Sequence, residues 1–153
     1  LAELLIEQDR VEEAIAVLRV RADTGDGIAA DWLAELLIEQ DRVEEAIAVL
    51  HRAAGAGDRS ATRRLVHLLA SRGRVEEAIA VLRVRADTGD GIAADWLAEL
   101  LIEHGRVEEL IAVLRVRADT GDEHAAQRWL ALLERTNPQE AERVRRFGLD
   151  VQE

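Results

Sequence analysis

The side chains that first suggest chemistry are four histidines, His51, His67, His104 and His124, and two serines, Ser60 and Ser71. A histidine pair on one helix face with a carboxylate between, as in H-E-x-x-H, would hold a metal. These four instead stand far apart along the chain, and cysteine is absent. Neither serine lies in a G-x-S-x-G turn, the strained strand-to-helix corner that exposes a nucleophile. The TGDG runs at 24–27 and 88–91 precede apolar, helix-like stretches, and the N-terminus of a helix can hold phosphate. Asp26 and Asp90 occupy that position and would repel an anion, so each run reads as a turn between helices. Carboxylates recur at fixed places, as a solvated helical surface requires, and do not form a pair driven apart in pKa by contrasting surroundings. No catalytic residue, metal or cofactor is expected, and the chain is not read as an enzyme.

What remains is recognition, which depends on how the chain repeats itself. Residues 1–18 recur unchanged at 33–50, and residues 10–39 recur unchanged at 74–103, which sets a 32-residue period. The units are 1–32, 33–64, 65–96 and 97–129, with a degenerate C-terminal capping unit, 130–153, after one extra residue near Gln127 and Arg128. Each unit holds two short amphipathic helices. Ala29, Ala30, Leu33, Ala34, Leu36 and Leu37 follow the i, i+3, i+4, i+7 pattern of a buried face, and Val43, Ala46, Ile47, Leu50, Ala53 and Ala54 repeat it. Asp26 is the expected N-cap of the first helix, after Gly25 at the left-handed end of the helix before. Asp41, with Glu44 three residues on, has capping-box spacing for the second, and glycine replaces it at 73 and 105. No stretch alternates with period two, so no strand is expected. A helix pair this short cannot cover its own apolar stripe, so neighbouring copies must cover it, which is a solenoid.

The two ends are unequal. Asn137-Pro138 should start a last helix that Arg143, Arg145 and Arg146 make polar, a solubilising cap with Gly148 ending it and Leu149 folding back. The chain opens at Leu1 inside a first helix that lacks its GIAADW portion, so a preceding segment is expected. Leu4, Ala14, Ile15 and Leu18 are then expected to be partly uncovered, with end-to-end self-association as a consequence. Trp32, Trp96 and Trp129 are read as one recurring site, packing between adjacent helices.

The spacing Leu33-Ala34-x-x-Leu37, then Glu45-Ala46-x-x-x-Leu50, resembles the tetratricopeptide repeat, W-x2-L-G-x2-Y followed by A-x3-F. Ala30 takes the place of Trp, Ala34 of Gly and Leu37 of Tyr, and the unit is two residues shorter. The inter-unit segments Ala22–Asp26 and Ala53–Asp58 are also similar to Sel-one-like repeats. The resemblance implies an all-α, right-handed solenoid of about five helix-turn-helix repeats, used for protein–protein interaction, with the first helix of each unit lining the concave face. That face would then present Glu3, Ile6 and Glu7; Ile28, Asp31, Glu35, Ile38 and Glu39; and Ile92, Asp95, Glu99, Ile102 and Glu103. The third unit breaks this acidic series with Arg63, His67 and Ser71. The expected partner-binding set is Asp31, Glu35, Ile38, Glu39, Arg63, His67, Asp95, Glu99, Ile102 and Glu103, and the expected partner is a basic or amphipathic protein segment. A purely structural solenoid, or the repeat portion of a larger regulator, is the alternative.

Composition fits this reading. With 153 residues, 48% of them apolar, the chain can bury a core without disulfides. It carries 20 basic residues, all arginine, against 31 acidic ones, a net charge of −11. The arginines at second-helix ends could form a basic ridge, but the net charge and the lack of interleaved aromatics argue against nucleic acid. No apolar run nears the roughly 20 residues that cross a bilayer, and a cytoplasmic location is expected. The arginine-only, alanine- and leucine-rich usage suits a GC-rich coding sequence and an actinobacterial source.

Overall fold

The computed structural model describes residues 2–147, and among them helix is the only regular secondary structure. Gly148 and Leu149, the expected end and fold-back of the last helix, lie outside the described residues. Ten helices follow one another: α1 (Ala2–Glu7), α2 (Val11–Asp23), α3 (Gly27–Glu39), α4 (Val43–Gly55), α5 (Arg59–Ser71), α6 (Val75–Asp87), α7 (Gly91–Glu103), α8 (Val107–Asp119), α9 (Glu123–Thr136) and α10 (Pro138–Phe147). None is long and apolar enough to cross a membrane.

The odd-numbered helices α3, α5, α7 and α9 start alike. The carboxylates of Asp26, Asp58, Asp90 and Asp122 accept a hydrogen bond from the backbone N–H three residues on, at 2.9–3.2 Å. Each aspartate satisfies one of the donors a helix leaves free at its N-terminus. The preceding glycines, Gly25, Gly57, Gly89 and Gly121, all have φ near +90°.

The even-numbered helices start differently from expectation. Asp41 is not an N-cap: it sits at φ 57°, in the left-handed turn, and Arg42 takes the cap position without a side-chain cap bond. Gly73 and Gly105 have φ of 73° and 65° at the same place. Aspartate and glycine alternate there because both tolerate positive φ, not because one caps and the other turns. Arg42 instead reaches Glu45 at 2.7 Å within its own helix and Glu12 of α2 at 3.0 Å. Arg74 repeats this with Glu77 at 2.6 Å and Glu44 of α4 at 2.9 Å.

The chain forms two compact units, Leu1–Leu82 and Arg83–Glu153. In the first, α2 packs against α1 and α3, α4 against α3, and α5 against α4 and α3. Its core holds Leu18, Leu33, Leu37, Leu50, Leu65 and Leu69, with Ala14 and Ala46 fully buried among them. Ala14, Ile15 and Leu18, expected to be partly uncovered, are buried, because α1 and α3 close over α2 from both sides. Leu4 alone of that group is open, at 56%.

In the second unit, α8 packs on α7 and α9, and α10 on α9. Leu97, Leu101, Leu114 and Leu133 fill the core with Trp129. Trp129 does not belong with Trp32 and Trp96. Its cap, Asp122, follows Asp90 at the same spacing as Asp58 follows Asp26, so the helix frame sets Trp129 where Leu33, Leu65 and Leu97 stand. No extra residue is inserted near Gln127 and Arg128. Helix α9 runs one residue further than its counterparts, to Thr136, and α10 starts correspondingly sooner, at Pro138. Trp129 is therefore a core residue, while Trp32 is exposed and Trp96 half-buried. Asn137 caps α10 as expected, accepting from the Glu140 N–H at 3.3 Å and donating to its carboxylate at 3.0 Å. Pro138 follows at the first turn, Ala141 faces inward, and Arg143, Arg145 and Arg146 remain in solvent.

Candidate partner-binding cleft

Helices α3 and α5 pack side by side, each starting from its aspartate cap, so residues at matching steps of the two helices come abreast. Between them lies a depression of about 510 Å3 lined by Ala34, Glu35 and Ile38 of α3, Leu50 of α4, and Arg63, Arg64, His67 and Leu68 of α5. Four of the expected partner-binding residues, Glu35, Ile38, Arg63 and His67, thus share one cleft. Ala34, Leu50 and Leu68 form its apolar floor, and Ile38 is partly open above them. Glu39 is exposed one residue past Ile38, outside the lining.

The α3 carboxylates are less free than a solvated acidic stripe. Arg64 donates to the Asp31 carbonyl at 3.0 Å, stands 3.5 Å from Asp31 Oδ1 and pairs with Glu35. Ser60 donates to Asp31 Oδ2 at 2.9 Å. Asp31 Oδ1 is enclosed and accepts no hydrogen bond, so the Arg64 charge nearby is what compensates it. Arg64 is not in the expected set; it occupies the step of α5 that tryptophan occupies in α3 and α7. The result is a cleft with a partly neutralised acidic wall on α3 and a basic wall, Arg63 and His67, on α5.

The other four expected residues lie in the second unit, on α7. Asp95 pairs with Arg117 of α8 at 2.6 Å, whereas Glu99, Ile102 and Glu103 are exposed. The α9 steps that match Arg63 and His67 are Gln127 and Ala131, so the charge reversal of α5 does not recur there.

Most of the arginines at the ends of the even-numbered helices are engaged in ion pairs, and Arg115 lies over the Trp129 ring. Arg21 and Arg117 bind the cap carboxylates Asp26 and Asp122, each at 2.5 Å. The cap hydrogen bonds and these guanidinium groups hold both aspartates below the usual carboxylate range. Arg52 pairs with Asp23 at 2.7 Å and Arg83 with Glu109 at 2.6 Å. Glu45 lies between Arg42 and Arg19 and is lowered to about 2, with the Arg42 hydrogen bond as the larger cause. A ridge neutralised in this way offers few free cations to a phosphate backbone. Among the described residues no three His, Asp or Glu side chains converge as a metal site would require.

No protein-family model matches the chain, and no curated protein matches it. Among solved structures it is similar to the one titled "MamA RS-1 ArsTM double mutant", with 17% identity, 97% of this chain and 88% of that chain covered, and a TM-score of 0.48.

Proposed function

We propose that this chain is a protein-interaction scaffold that seats a partner segment in the cleft between α3 and α5. The observation that carries this reading is the meeting of Glu35, Ile38, Arg63 and His67 around one depression of about 510 Å3 with an apolar floor. Such a cleft suits an amphipathic segment. An apolar side chain would rest on Leu50, Leu68 and Ile38, and basic residues would run along Glu35 and Glu39 while the α5 wall sets direction. The acidic balance of the chain, −11, would draw a basic segment in, with apolar contact fixing its register. In this reading the helices form a right-handed solenoid of 32-residue units, and Asp31 on α3 and Asp95, Glu99, Ile102 and Glu103 on α7 complete the partner-binding set.

The test is titration of a fluorescent basic amphipathic peptide against the whole chain, by anisotropy, at low and high salt. Binding should weaken about tenfold or more as the salt rises from low to physiological and beyond, because exposed charges are screened. Combined reversal of Glu35, Glu39, Glu99 and Glu103 to Arg should abolish it. Undiminished binding by that variant, with its helicity intact, would remove the acidic face from the reading.

A further inference from the structure

The stretch from Arg10 to Glu39 and its copy from Arg74 to Glu103 are identical, yet the helices that follow them, α4 and α8, are not. Three substitutions matter. Leu110 stands where Ala14, Ala46 and Ala78 are completely buried, and it is itself buried. Val116 stands where α4 has Arg52, and Arg117 where it has Ala53.

The consequences lie in the α7–α8 pair. A leucine where the other copies hold a methyl group needs extra space, and a packed helix pair gains space by separating. Accordingly α8 lies less closely along α7 than α4 does along α3. Val49 is buried in the first pair, whereas its counterpart Val113 is half-exposed. The small recess of about 410 Å3 in the first pair becomes a cleft of about 580 Å3 in the second, floored by Ala94, Leu97, Ala112 and Val113.

The rim has changed as well. In the first copy Asp23 is neutralised by Arg52 at 2.7 Å. Its counterpart Asp87 lines the wider cleft with Val116 in place of that arginine, and no described residue pairs with it. The two arginines at this rim are already engaged, Arg83 with Glu109 and Arg117 with Asp95 and Asp122.

From this cleft we propose a second binding site, for a small organic cation: an ammonium group on an aliphatic body. Its volume falls in the range of small-molecule sites, of about 300–1,000 Å3. Asp87 takes the ammonium group, and Leu97, Val113 and Val116 cover the aliphatic chain. Leu110 keeps the space open. The site is independent of the α3–α5 cleft.

The probe is octylammonium, titrated into the full chain and followed by amide-resolved NMR, with octanoate and octanol as controls. Shifts should be confined to the end of α6, the first half of α7, the facing side of α8 and the cap of α9, and octanoate should produce none there. Leu110→Ala restores the residue of the other copies and should close the cleft. Val116→Arg restores the partner of the first copy and should occupy Asp87. Each should weaken octylammonium binding about tenfold or more, and octanol should bind more weakly than the amine. Equal binding of octanoate, unchanged affinity in Val116→Arg, or no shift at millimolar octylammonium would overturn the proposal. Val116→Arg changes an exposed position, so it keeps the test decisive even if Leu110→Ala repacks the core.

Discussion

Asp41 has φ 57°, and the matching turns carry Asp9 at 58°, Gly73 at 73° and Gly105 at 65°. A residue with a Cβ loses roughly 1 kcal/mol or more in the left-handed region, and aspartate loses less than most because its short polar side chain suits local bonds. Replacing Asp41 by glycine, as the other copies do, should leave stability within about 0.5 kcal/mol. Replacing it by alanine should cost about 1 kcal/mol. Urea unfolding midpoints of the two variants separate these outcomes. If Asp41 were the cap that its spacing with Glu44 implies, glycine would also cost stability, although only a few tenths of a kcal/mol. Alanine falls below the parent under either reading, so the discriminating result is glycine at or above the parent.

Between elements, the links are arginine–carboxylate pairs that run from one helix to the next. Arg19 of α2 reaches Glu45 of α4 at 2.8 Å, and Arg42 binds the same carboxylate at 2.7 Å. These two groups lower Glu45 from an ordinary 4.5 to about 2 in the folded chain. A carboxylate whose folded value is depressed contributes stability that is fully present above its unfolded pKa and is lost as pH falls through the folded one. The thermal midpoint should therefore fall between about pH 4.5 and about pH 2, a trend to which Glu13, Glu77 and Glu109 add in the same direction. Glu45→Gln should melt lower than the parent at neutral pH and should converge with it near pH 2. A constant gap across that range would show that Glu45 acts through packing and not through its charge. Most of the element level was legible in the sequence. Apolar stripes located all the helices, and short-range geometry placed Asp26 and Asn137 as caps. Two differences between sequence and structure have a common cause, since a local spacing carries no helix frame. Asp41 has capping-box spacing with Glu44, but its turn requires positive φ, and Trp129 resembles Trp32 in its neighbours, but its cap sets it at a leucine position. The role of Arg64 is hidden in the sequence for a different reason. Its partners, Asp31 and Glu35, lie about one unit away, and a pairing of that kind appears only once two helices are abreast.

Across the molecule, identical sequence does not imply identical surface. Ile38 and Ile102 occupy the same step of identical helices, α3 and α7. Ile38 borders a cleft whose far wall is Arg63, His67 and Leu68 of α5. Ile102 lies on a helix whose following odd-numbered neighbour, α9, offers Gln127 and Ala131 at the corresponding steps, and it is more exposed, at 52% against 37%. The two residues therefore separate a general acidic face from one localised cleft. Binding spread along every first helix would make Ile38→Asp and Ile102→Asp equally harmful to the basic amphipathic peptide. Binding focused on the α3–α5 cleft should make Ile38→Asp weaken the complex about tenfold, while Ile102→Asp changes it little. Both substitutions place a carboxylate on an exposed helix step, so both variants should keep the parent's helicity, and circular dichroism checks this before the affinities are compared. The cleft is favoured because charge alone is repeated on α3 and α7, whereas an apolar floor between an acidic wall and a basic one is built where α5 departs from the copies. Equal losses from the two variants would return the function to the repeated face, and with it to a partner long enough to touch both units.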